Sequence, residues 1–394
     1  MEQNSISKNG FQLVSKYRSA IMGLAALWIL VFHAWVILSP DPKDGSFSLI
    51  NFLEHYIKDI GFCGVDIFLF LSGIGLTFAI RKESLPVFYY RRVRRVMLPF
   101  LTVGIVRGIV QNWGLPLMIA NLTGYNFFMN NTYAFLWFVP AIVTLYLFFP
   151  LYYKLFEKAG NKILFTAGAV MVWLLIVLLA RDQIRIDMFA FINRIPVFLT
   201  GILFGYLTQK HKDAVFTAQT YITLIIMLIT GFYLEYLTNY LEYELIVPKG
   251  KSFLPTCLIA VSFTFLSAKV LEIFERRFAA FGKGVVKVIG FFGIISLELY
   301  CVQSWFADIV PLLVEDGWSK YLINPVMLLL TAATAWVGYM LFKGFWELVE
   351  LLFKRSGKQK VKNDIISKTN SGAGYDVCGF GRSVDVHCSD LDRR

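Results

Sequence analysis

Long apolar runs alternate with short polar intervals along almost the whole chain. The first run, SAIMGLAALWILVFHAWVILS from Ser19 to Ser39, has His33 as its only ionisable side chain. A helix of this length spans ~30 Å, the thickness of a bilayer's hydrocarbon core. Similar runs follow at about 60–80, 97–117, from 134, then 163–180, 190–207, 220–237, 253–268, 288–306 and 322–342. The pattern predicts an all-α, polytopic transmembrane helix bundle of about ten spans. No internal repeat is visible, so an inverted-repeat transporter gains no support.

Composition agrees. Mean hydropathy is +0.60 and only 16% of residues are charged, against about 25% in soluble domains. The net charge of +11 would suggest nucleic acid in a soluble protein, but here its distribution explains it. With the N-terminus inside, the inner segments hold 29 of the 38 Lys and Arg, the outer ones hold 8, and Arg107 falls within a span. That bias predicts that both termini of a multi-pass membrane protein lie in the cytoplasm. The expected divisions are a cytoplasmic segment at 1–18, a membrane domain at 19–347 and a largely disordered cytoplasmic tail at 348–394, which loses its apolar period from Ser356. The first run is too long for a cleavable leader. Cys63, Cys257, Cys301, Cys378 and Cys388 show no metal spacing, and His387 beside Cys388 is an isolated pair, so no metal is expected.

Candidate chemistry lies in polar side chains within the apolar runs. An ionisable residue there is costly and points to function. Counted from the predicted outer boundary, His33 and Asp66 lie at similar depth. Arg194, Glu298, Gln303 and Trp137 fall in the same half, so together they read as the lining of a water-accessible cavity. A carboxylate on one imidazole nitrogen fixes the tautomer and leaves the other free as a proton acceptor, so Asp66 is expected to orient His33. At the opposite face FYYRRVRRVMLPF places Arg91, Arg92, Arg94 and Arg95 before the third span. The cluster reads as a positive-inside anchor, as an anion site, since arginine matches phosphate bidentately, or as both. A proton-coupled transporter using His33, Asp66 and Arg194 as a relay is the rival from another class.

The segments IMGLAALWILVFHAW, GVDIFLFLSGIGL, FYYRRVRRVMLPF, LWFVPAIVTLYLFFPL, RIPVFLTGILFGY and SLELYCVQSWF occur in this order from about Lys16 to Phe342. In order and spacing they resemble the acyltransferase family 3 of integral membrane O-acyltransferases. The resemblance implies about ten spans, catalysis by His33, and a cytoplasmic acyl-coenzyme A donor used as a substrate, with no permanently bound cofactor. It also implies an extracytoplasmic carbohydrate or glycolipid acceptor. The activity expected is O-acetyl transfer from acetyl-coenzyme A, as in polysaccharide O-acetylation. Arg18, Arg91, Arg92 and Arg95 are then the candidates for the donor phosphates, Arg194 for the oxyanion, and Trp137, Glu298 and Gln303 for the substrate. Met22 stands where many members carry arginine, with Arg18 one turn earlier, and Gln303 stands where many carry histidine.

Overall fold

In the computed structural model the described residues are 10–40, 48–130, 136–239, 241 and 253–370, with the backbone alone described over 353–370. They form fifteen α-helices and two 3-10 turns. The helices are α1 (Phe11–Ala34), α2 (Leu49–Asp59), α3 (Cys63–Ala79), α4 (Leu85–Val110), α5 (Leu115–Leu122), α6 (Tyr125–Met129), α7 (Phe138–Lys158) and α8 (Lys162–Leu179). Then come α9 (Phe189–Ile192), α10 (Ile195–Lys210), α11 (Ala218–Asn239), α12 (Phe253–Arg277), α13 (Ala279–Ile294), α14 (Ser296–Glu315) and α15 (Lys320–Asn370). Residues up to Phe342 form one compact unit and those from Lys343 a second.

Among the described residues, eight helical segments are long and apolar enough to cross a membrane, and the pair α2–α3, bent by 51°, would make a ninth. The expected third span, α4, is 26 residues long but carries five arginines, so a count of ten rests on it. Three boundaries differ from expectation. The first helix runs from Phe11 to Ala34, because Trp35 leaves it for extended backbone. The polar interval before the run at 60–80 contains a helix of its own, α2. The run at 288–306 is broken at Ile295, between α13 and α14. The tail expected to lose structure from Ser356 is helical as far as Asn370. Asp41, Lys43, Cys378, His387 and Cys388 lie outside the described residues.

The outward faces are apolar: Leu147, Phe148, Leu151, Leu155, Leu175, Ile176, Ile222, Ile226 and Ile229 are all exposed. Such a surface fits lipid as its solvent. Inside the bundle, small residues set the packing. Gly201 and Gly205 on α10 form a GxxxG stripe against α3, where a Cβ on Gly201 would fall 2.3 Å from the Phe70 carbonyl oxygen. Gly23 on α1 and Gly293 on α13 meet in the same way; a Cβ on Gly293 would fall 1.8 Å from the Ser19 carbonyl oxygen. Helix α1 thus sits among α3, α12, α13 and α14.

Candidate functional site

Arg18, Met22, Ala26, Ile29 and His33 follow one another on α1 at spacings of four, four, three and four, which puts them on one face of the helix. Met22, Ala26 and Ile29 line a cavity of about 220 Å³. Its other walls come from Val65, Phe68 and Ser72 of α3, Arg95 and Val96 of α4, Phe138, Ile142 and Tyr146 of α7, and Ser296, Tyr300 and Gln303 of α14. Most of this lining is apolar, with Ser72, Arg95, Tyr146 and Gln303 as polar points. Met22 and Gln303, the two departures from the family pattern, both face it. His33 lies one turn beyond Ile29 on the same stripe and is exposed. At the other end, Arg18 is also exposed and donates to the Leu71 carbonyl at 3.4 Å. Its guanidinium packs over Gly75, where a Cβ would come within 2.9 Å of Nη2.

Arg91, Arg92 and Arg95 of α4 are engaged with carboxylates. Arg91 and Arg92 share Glu83, at 2.6 and 2.7 Å, and Arg92 also stacks on Phe88 at 4.3 Å. Arg95 grips Glu298 with both terminal nitrogens, Nη1 to Oε1 and Nη2 to Oε2 at 3.1 Å. Its Nη2 also donates to the Ile294 carbonyl at 3.0 Å. Arg95 therefore joins the last residue of α13 to the first turn of α14 and fixes the break between them. Arg18 has no carboxylate partner among the described residues. Tyr146, on the cavity wall, lies within the electrostatic reach of Arg18, Arg92 and Arg95.

This corrects the expected depths of Arg95 and Glu298. The positions of the apolar runs predict opposite faces of the membrane for them, yet they form one ion pair. Helix α4 is continuous from Leu85, so Arg95 lies ten residues, ~15 Å, along it rather than at its boundary. Helix α14 starts only at Ser296, so Glu298 belongs to its first turn.

Asp66 and Arg194 form a second centre. Arg194 Nε lies 3.2 Å from Asp66 Oδ2, and the guanidinium donates to the carbonyls of Ala190 and, at 3.3 Å, Phe62. It stacks on Trp137 at 5.4 Å. The expected His33–Asp66 hydrogen bond is absent among the described residues, and the register explains why. The glycines before and in α3 draw it against α1 in antiparallel sense: Gly61 meets Phe32 and Trp28, Gly64 meets Ala25 and Ile29, and Gly75 meets Arg18. Asp66 therefore falls near the level of Ala25, about eight residues or ~12 Å along α1 from His33. The expected single cavity is thus divided: Gln303 faces it, Glu298 bounds it through Arg95, and Asp66, Arg194 and Trp137 form a neighbouring closed cluster. Glu83, Ser72 and Tyr146 also belong to this region, and none of them carries a sequence signal distinct from an ordinary helix or loop position.

A lipid-facing helix bundle enclosing a cavity, with the ion-paired Arg95 on its wall, defines a multi-pass membrane protein with an internal site. Residues 20–343 match the family model described as an acyltransferase domain, and the chain belongs to that family, acyltransferase family 3. Comparison with curated proteins and with solved structures gave no match.

Proposed function

We propose that this membrane acyltransferase moves an acyl group, acetyl in the simplest case, from cytoplasmic acyl-coenzyme A to a hydroxyl of an extracytoplasmic carbohydrate or glycolipid. The observation that carries the proposal is the α1 stripe: a cation without a carboxylate partner among the described residues at one end, an exposed imidazole at the other, and a cavity between them. Arg18 and its neighbour Arg92 hold the donor's phosphates by charge-assisted hydrogen bonds. The extended arm of the donor lies along Met22, Ala26 and Ile29 and brings the thioester toward His33. From Arg18 to His33 the helix rises ~22 Å.

His33 takes the proton of the acceptor hydroxyl as that oxygen bonds to the thioester carbonyl carbon. The carbon–sulfur bond then breaks, and the proton passes to the departing thiolate, giving free coenzyme A. Arg194, held by Asp66 and two carbonyls, supports the wall behind Trp137 instead of meeting the oxyanion directly. The test is incubation of membranes with acetyl-labelled coenzyme A. Label should enter surface glycans with the wild-type chain, and His33→Ala should abolish transfer at equal expression. Transfer at the wild-type rate by His33→Ala would remove the proposed mechanism.

A further inference from the structure

Helix α1 stops at Ala34, one residue past His33, and Trp35 turns the backbone extended at φ −78° and ψ 126°. The residues Trp35–Ser39 belong to no helix, so their polar backbone groups need partners from elsewhere, the more so in or beside a membrane. Two distant side chains supply them. Asn324 on α15 is 4% exposed. Its Oδ1 accepts from the Val36 N–H at 2.9 Å, and its Nδ2 donates to the Val36 carbonyl at 2.8 Å. Glu54 on α2 accepts from Trp35 Nε1 and Leu38 N at Oε1 and from Ser39 N at Oε2, each at 2.9 Å.

We propose that Asn324 and Glu54 are positioning residues for His33, an inference that rests on reading His33 as the proton acceptor. The last turn of a helix frays most easily, and His33 sits in that turn. Pinning the chain at Val36 from one side and at Trp35, Leu38 and Ser39 from the other removes the fraying. It fixes the direction in which the imidazole leaves α1. The side-chain types suit the task. An amide offers an acceptor and a donor to a single residue, as a neighbouring strand would, while a carboxylate gathers several N–H donors at once. A displacement of about 1 Å at a reacting group can cost a hundredfold in rate, so a small contact at this distance has a large lever.

The experiment compares Asn324→Ala, Glu54→Ala, Glu54→Gln and His33→Ala in nanodiscs, with rates normalised to folded protein. It reads kcat and the KM for acetyl-coenzyme A from labelled transfer, and the rate at which diethyl pyrocarbonate modifies His33, followed by mass spectrometry. The expected result is a kcat lower by roughly tenfold to a hundredfold for Asn324→Ala and Glu54→Ala. The donor KM should stay within about twofold and the His33 modification rate should change. Glu54→Gln, which keeps the shape and one acceptor oxygen, should restore part of the loss. Should Asn324→Ala not fold, the two Glu54 variants carry the same test. Wild-type kcat and His33 reactivity in the Asn324 and Glu54 variants, beside an inactive His33→Ala, would overturn the positioning role alone. An active His33→Ala would overturn the reading of His33 and this inference with it.

Discussion

Arg194 and Arg95 each meet a carboxylate from another helix, yet the two pairs have different surroundings. Asp66 and Arg194 have side chains 0% and 6% exposed, and the guanidinium is enclosed by two carbonyls and the Trp137 ring. Glu298 is as deeply buried, at 1%, but its partner Arg95 is 44% exposed and faces the cavity. One pair is sealed and the other opens onto the space where a substrate would lie. A sealed pair is held by the penalty for leaving either charge alone in a low dielectric. An open one can exchange partners with water or an anionic ligand. Two arginines that look alike in the sequence thus have different work to do, decided by what their helices pack against.

Breaking the sealed pair should have the largest effect. Asp66→Asn leaves Arg194 buried without a counter-charge, and the expected cost is about 3–5 kcal/mol. It would be read as a fall in melting temperature and in the yield of folded protein. The double variant Asp66→Asn with Arg194→Gln should recover much of that loss. If Asp66→Asn melts like the wild type but loses turnover, Asp66 acts in the chemistry after all.

Opening the exposed pair should cost less. For Glu298→Gln we expect about 1–2 kcal/mol, because water reaches Arg95, and the same melting experiment measures it. Loss on the scale of Asp66→Asn would show that the cavity does not hydrate Arg95. Arg18→Ala should leave stability nearly unchanged and raise the KM for acetyl-coenzyme A by roughly tenfold or more, as for loss of a charge-assisted hydrogen bond of about 1.5–3 kcal/mol. Arg91→Lys should have the smallest effect, within about 0.5 kcal/mol and without a change in donor KM, because Arg91 is an exposed partner of Glu83. A large rise in KM there would return the donor site to Arg91 and Arg92 near the start of α4.

Much of the bundle could be read from hydrophobic run length, because a helix in lipid must satisfy its backbone internally and show apolar side chains outward. His33 and the family segments were legible for the same reason: one ionisable group in an apolar run stands out. Pairing was not legible. Depth counted from assumed boundaries put Asp66 opposite His33, but the register of α3 on α1 is set by close contacts at Gly61 and Gly64, which no count of hydrophobicity reveals. The same holds for Arg95 and Glu298, whose meeting depends on where α13 breaks. Asn324 gave no signal, since one asparagine at the start of an apolar helix looks like an end cap until Val36 is found beside it.

In the proposed function the donor's acyl end lies along the α1 stripe and reaches His33. The most direct measurement is photolabelling of the purified protein in nanodiscs with an acyl-coenzyme A carrying a diazirine near the thioester, with the modified residues mapped by mass spectrometry. Label is expected on the stretch from Ile29 to His33 and on facing residues such as Phe138 and Gln303, displaced by excess acetyl-coenzyme A. Displaceable label confined to residues remote from the cavity, such as those on the outward faces of α8 and α11, would contradict it.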